Sequence, residues 1–239
     1  MAIESPSYIL KTTDAGKTWI KVYENKDPAM FLDAMDFIND REGYVIGDPL
    51  NGHLFIAATK DGGTTWQPVT NAFPALLPGE AFFAASGSNI VTTPNQLYVV
   101  SGGTQSRLIT KEQAARLPIM QGTQSSGANG IGVFNNRLMI AGGDFSNPGR
   151  KDSVLIVSND SGKTWQQPTI PPQGYRSAVT ALDKNTWITC GLTGAEVSKD
   201  GGITWQPLSS ESFNAISIHK ATRTAFLAGA GGRIAKIRF

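Results

Sequence analysis

A single pattern, Thr/Ser-x-Asp-x-Gly-x-Thr-Trp, is written four times along this chain. It begins at Thr12, Thr59, Ser158 and Ser198, with its acid at Asp14, Asp61, Asp160 and Asp200. Its glycine is Gly16, Gly63, Gly162 or Gly202, and its last residue is Trp19, Trp66, Trp165 or Trp205. Four of the five tryptophans occupy that last position. A repeat of this kind constrains the fold more than any other feature, because each copy must build the same local unit.

The spacing of the copies adds a fifth. Asp14 to Asp61 is 47 residues, Asp61 to Asp160 is 99 and Asp160 to Asp200 is 40. The long gap asks for a hidden copy near its middle, where residues 110–117 keep Thr110, an acid (Glu112) and an apolar last residue (Leu117). We read these residues as a decayed copy. Repeats of roughly 40 to 50 residues made of strand-forming sequence build β-propeller blades.

Each residue of the pattern has a folding role. The aspartate accepts hydrogen bonds from backbone N–H groups of its own loop, as in Asx-turns. The glycine adopts φ > 0 without a Cβ clash, the Thr hydroxyl closes the loop on the acid, and the Trp opens the next strand with its ring buried. The four aspartates are therefore expected to be structural, and Trp19, Trp66, Trp165 and Trp205 to be buried between sheets. Residues 110–117 lack glycine and tryptophan. Their loop is expected to be irregular, with short or displaced strands, in the most mobile blade.

Apolar runs bounded by Gly, Asn and Asp flank every copy, as strands require. Inner strands are expected at 31–37, 81–85, 130–134, 177–181 and 213–218, each followed by a second apolar run ending in glycine or serine and glycine. One unit is three strands, the box and a fourth strand. The expectation is an all-β chain of four-stranded antiparallel blades in one propeller domain over 1–239. Its units are 1–26 (partial), 27–72, 73–122, 123–168, 169–208 and 209–239, five full blade units behind a leading half-blade. The chain starts in mid-repeat, so it reads as part of a six- or seven-bladed ring.

Composition removes several function classes. There are 21 basic and 19 acidic residues and no basic run, so no nucleic-acid footprint is expected. The lone Cys190 rules out an intrachain disulfide. One cysteine and two histidines do not make a zinc cluster, and neither a metal nor another cofactor is expected. No apolar stretch reaches membrane-spanning length.

The boxes, with Gly47-Asp48-Pro49 and residues 174–177, resemble the bacterial Asp-box (BNR-repeat) propellers, in particular those related to photosystem II stability/assembly factors. The resemblance runs along the whole chain. It implies a non-catalytic scaffold that binds a protein or carbohydrate partner, placed outside the cytoplasm. The same box occurs in sialidase-type glycoside hydrolases, which is the alternative reading.

In such propellers the box loops share one face with the turns between first and second strands, and ligands use the opposite, blade-joining face. The candidate site loops are then 27–33, 48–53, 78–83, 143–151, 173–177 and 191–196. Their notable groups are Asp33, Asp48, His53, Glu80, Asp144, Arg150, Tyr175, Arg176 and Glu196. Tyr175 with Arg176 leads, as an apolar plate beside a planar fork suited to an anionic or peptide partner. A sialidase-like site needs three arginines, a tyrosine nucleophile with a glutamate partner and an acid/base aspartate. Tyr175 with Glu80 or Glu196 fits part of that set. The arginines fall short, with only Arg150, Arg176 and Arg233 in reach.

Overall fold

The computed structural model describes residues 4–70 and 72–239. Its strands form six antiparallel sheets in sequence order. The first holds β1 (Ser7–Lys11) and β2 (Ile20–Asn25). The second holds β3 (Leu32–Phe37), β4 (Gly43–Leu50), β5 (His53–Thr59) and the short β6 (Gln67–Pro68). After β7 (Glu80–Ala81), the third combines β8 (Ile90–Thr92) and β9 (Leu97–Val100) with β11 (Arg107–Ile109) and β12 (Ala114–Arg116), β10 (Gly102–Gly103) lying between them in the chain. The fourth is β13 (Ser126–Phe134), β14 (Arg137–Asp144) and β15 (Leu155–Ser158), extended by β10 and β7. The fifth is β16 (Ala178–Ala181), β17 (Trp187–Gly191), β18 (Gly194–Ser198) and β19 (Gln206–Ser209). The last is β20 (Ala215–His219), β21 (Thr224–Ala228) and β22 (Ile234–Arg238).

Each sheet buries its apolar face against the next one along the chain. Ile46 and Ile56 of the second sheet pack with Ile90, Val99 and Ile109 of the third. Val100 and Leu108 of the third pack with Leu138 and Ile156 of the fourth. Met139 and Leu155 then meet Val179 and Trp187, and Ile188 and Val197 meet Ala225 and Leu227. The innermost strands β3, β8, β13, β16 and β20 neighbour one another in that order. The core is thus a succession of inter-sheet layers.

The expected inner strand at 81–85 is a correction. The third sheet uses Ile90–Thr92 instead, and Glu80–Ala81 pairs with Gly102–Gly103 at the edge of the fourth. Residues 81–85 are the more apolar run, but Phe83 turns toward a cavity rather than into a sheet. The decayed copy is a tight hairpin in which Thr110 and Gln113 exchange backbone and hydroxyl hydrogen bonds between β11 and β12. Both strands are three residues long. Without glycine, two turn residues close the hairpin where an intact copy spends a longer loop.

The four intact boxes repeat one hydrogen-bond set. In the first, Thr12 Oγ1 donates to Asp14 Oδ1 at 2.8 Å and accepts from Gly16 N–H at 2.9 Å. Thr18 then donates from its N–H to Oδ1 and from its hydroxyl to Oδ2, at 2.9 and 2.6 Å. The same bonds join Thr59, Asp61, Gly63 and Thr65, then Ser158, Asp160, Gly162 and Thr164. They recur at Ser198, Asp200, Gly202 and Thr204. The glycines sit at φ between 78° and 94°, the left-handed region that favours glycine. These bonds hold Asp14 and Asp160 at a pKa of about 2, the Thr18 and Thr164 side chains contributing most. Asp61, through Thr65, is held lower still.

The box tryptophans divide. Trp66 and Trp205 are buried, at 5% and 4% exposure, and Trp165 is half-buried. Trp19 is 57% exposed, which corrects the expectation of burial. The packing gives the reason. Trp66 joins Ile9 of the preceding sheet, Trp165 joins Val100 and Leu108, and Trp205 joins Met139 and Leu155. Each ring covers the sheet before its own, and among the described residues no sheet precedes β1.

Candidate functional site

Box loops and blade-joining loops lie at opposite ends of the sheets. Three box loops bond to the turn between the first and second strands of their blade: Gly62 N–H to Arg41 O, Ser161 to Asn136, and Gly201 to Asn185. The loops that lead into the first strand and out of the second are therefore at the other end. There, residues from five successive sheets line a cavity of about 620 Å³. Its wall is mostly apolar: Phe31, Phe82, Phe83, Phe145, Tyr175 and Leu192. Phe83 meets Phe145 edge-on at 5.5 Å between centroids, and Phe145 meets Tyr175 edge-on at 6.3 Å. Edge-to-face contacts of this kind hold aromatic rings in fixed orientation. Phe145 and Leu192 present exposed apolar surface.

The polar members of the wall are Asp48, Asn129 and Asn214. Asp48 accepts from Phe82 N–H at 3.2 Å, and burial raises its pKa. Asn129 accepts the Tyr175 hydroxyl at 2.7 Å. The inner strands carry polar residues at corresponding places: Asp33 and Asn129 at bulges within β3 and β13, and Asn89, Ser177 and Asn214 just before β8, β16 and β20. All five are polar, and all but Asn214 are buried. Asp33 is 1% exposed and neither carboxylate oxygen has a partner, and Asn89 Oδ1 has none either. Burial, reinforced by the charge of Asp48, pushes the Asp33 carboxyl up to about 8.

The residues singled out from sequence are placed as follows. All six candidate loops contribute to the cavity wall, through Phe31, Asp48, Phe83, Phe145, Tyr175 and Leu192. Of the named polar groups, Asp48 and Tyr175 reach it. Arg176 does not and is a correction. It is fully buried, with Nε and Nη2 donating to Glu196 Oε2 and Nη1 to Tyr175 O and Thr193 Oγ1. Glu80 is likewise spent inside the protein, accepting from Arg107, Ser101 and the Leu77 N–H. Asp144 caps its own turn through Ser125 and Ser146. Arg150 pairs with Asp152 at the surface, and His53 is exposed at the start of β5.

Tyr175 lacks the surroundings that activate a phenol. Burial pushes its pKa up, whereas an activated phenol needs it lowered, and both glutamates read as its partners are held by arginines. Cys190 is buried with its thiol pushed up to about 12 by burial, which keeps it unreactive. No group of three or more His, Cys, Asp or Glu among the described residues is gathered for a metal ion. No helix among them is long and apolar enough to cross a membrane.

Comparison with known proteins agrees with the box geometry. The BNR/Asp-box repeat family model matches residues 196–207, which run through the fourth box. The GH74 xyloglucanase from Xanthomonas campestris superposes with a TM-score of 0.59 and 16% identity, over 96% of this chain and 40% of the enzyme. The chain has the β-propeller fold. A GH74 enzyme from Niastella koreensis shows the same fold, with a TM-score of 0.54, 15% identity and cover of 98% and 49%. In sequence, this propeller is 25% identical over 257 aligned positions to the chloroplastic photosystem II stability/assembly factor HCF136 of Arabidopsis thaliana. That alignment takes in 96% of this chain and 60% of the relative, so the chain spans only part of the length of the curated protein it matches.

The loops and two of their wall residues, Asp48 and Tyr175, are legible in the sequence. Phe31, Phe83, Phe145 and Leu192 are not, because the same loops hold apolar residues such as Met30 and Leu32 that are buried in the core, and sequence alone does not tell the two kinds apart.

Proposed function

We propose that this propeller is a non-catalytic scaffold that holds a segment of a protein partner in the cavity on its blade-joining face. The observation that carries this reading is the convergence of Phe31, Phe83, Phe145, Tyr175 and Leu192 from successive sheets around one opening. Rigid aromatic plates with a few polar groups bind an extended segment at low entropic cost. The similarity to a photosystem II stability/assembly factor supports a scaffold. The pairing of Glu80 and Glu196 with arginines speaks against the sialidase-like alternative.

A peptide-display selection on the folded chain tests the reading. Selected peptides should bind the parent and lose binding at least about tenfold on the Phe145→Glu, Leu192→Glu double variant, which removes two anchor positions. Its melting temperature should stay at the parent's, since both side chains are exposed. Peptides that bind parent and double variant alike would overturn the proposal.

A further inference from the structure

Three buried acceptor atoms have no donor: both oxygens of Asp33 and Oδ1 of Asn89. They stand on β3 and just before β8, neighbouring inner strands. Each is tied to the cavity wall through a neighbour. Asp33 is two residues from Phe31, and Asn89 Nδ2 donates to Phe83 O, while Phe31 and Phe83 themselves line the opening. Asp48 adds a second carboxylate in the wall, bonded only to one backbone N–H. Its strand pairs with β3 beside Asp33, with Leu32 opposite Gly47.

A folded protein leaves few buried acceptors without a donor, because each gives up its hydrogen bonds to water and gains none in return. Two carboxylates this close repel when both are ionised, so Asp33 keeps its proton near neutral pH unless a cation joins the pair. From these residues we infer that the cavity takes a ligand segment carrying an organic cation, an ammonium or guanidinium group, whose N–H donors enter the corner formed by Asp48 in the wall and the orphaned Asp33 behind it. The inference rests on the binding role proposed above and names the chemistry of what is bound there. A bare metal ion fits less well, since it needs at least three strong ligands close together and the described residues offer no such group. An organic cation suits the corner for a second reason. Phe31, Phe82 and Phe83 line the same cavity, and aromatic rings attract cations.

Three small probes of one size separate the cases: phenethylammonium, neutral 2-phenylethanol and anionic 3-phenylpropionate, each titrated into the folded chain by NMR. Phenethylammonium should bind about tenfold or more tighter than 3-phenylpropionate, and the gap should shrink to about threefold or less in Asp48→Asn and in Asp33→Asn. Both substitutions keep side-chain shape, and Asp48→Asn keeps an acceptor for the Phe82 N–H if either one alone disturbs folding. Equal binding of cation and anion, or a preference unchanged in both variants, overturns the inference while leaving the cavity reading intact. Failure of all three probes to bind removes the cavity reading and this inference together.

Discussion

Arg176 donates from Nε and Nη2 to a single oxygen, Glu196 Oε2, at 3.1 and 2.7 Å, and neither side chain is open to water. The pair ties the loop before β16 to β18, and so fixes the peptide that carries Tyr175. Its counterpart, Arg107 with Glu80, ties the loop at 78–83 to β11 in the third sheet. Two walls of the cavity are thus braced from behind by buried ion pairs. Arg176→Ala leaves a carboxylate buried and unpaired. It should cost about 3–5 kcal/mol in urea unfolding, whereas Arg176→Met with Glu196→Leu should recover much of that loss. A single variant as stable as the parent would show that the pair is dispensable.

Stability should fall as pH rises through the range of Asp33. Its folded pKa of about 8 lies above the value near 4 of an unfolded aspartate, so the folded state holds one more proton between those limits. The unfolding free energy therefore declines from about pH 4 to about pH 8 on account of this group. Asp33→Asn removes the decline and should be about 2 kcal/mol or more stabler than the parent at pH 8, with little difference at pH 4. Parallel curves for parent and variant would mean Asp33 is ionised without penalty.

The box aspartates should act with the opposite sign. Asp14, Asp61, Asp160 and Asp200 all have lowered values, so their contribution is fully present above about pH 4 and is lost as pH falls toward 2. Melting curves of the parent and of Asp160→Asn should converge over that window. A gap that stays constant down to pH 2 would contradict the loop geometry.

Tryptophan position should predict cost. Trp205→Ala empties a buried layer between the fourth and fifth sheets and should lose about 3–5 kcal/mol. Trp19→Ala removes an exposed ring and should lose about 0.5 kcal/mol or less. Equal losses at the two positions would mean that Trp19 is covered in solution.

The propeller was legible because its blade signal is local. Asp, Gly and Thr at fixed offsets dictate one loop whatever surrounds them, and all four intact boxes carry the same bonds. Burial was less legible, because a box Trp is covered by the sheet before its own, a relation that Trp19 shows to depend on the neighbour. The inner strand of the third blade was missed since 81–85 is the more apolar run, and Phe83 is apolar for the cavity. Arg176 and Glu80 looked like site groups because sequence shows charge and loop position but not the partner that consumes them. The partners, Glu196 and Arg107, lie 20 and 27 residues away.

Hydrogen exchange with and without a display-selected peptide tests the central claim most directly. Protection should appear in 78–83, 143–147, 173–177 and 191–193, the loops that carry Phe83, Phe145, Tyr175 and Leu192, and not in the boxes at 59–66, 158–165 and 198–205. Protection confined to the boxes, with the cavity loops unchanged, would place the binding surface on the other face and contradict the account.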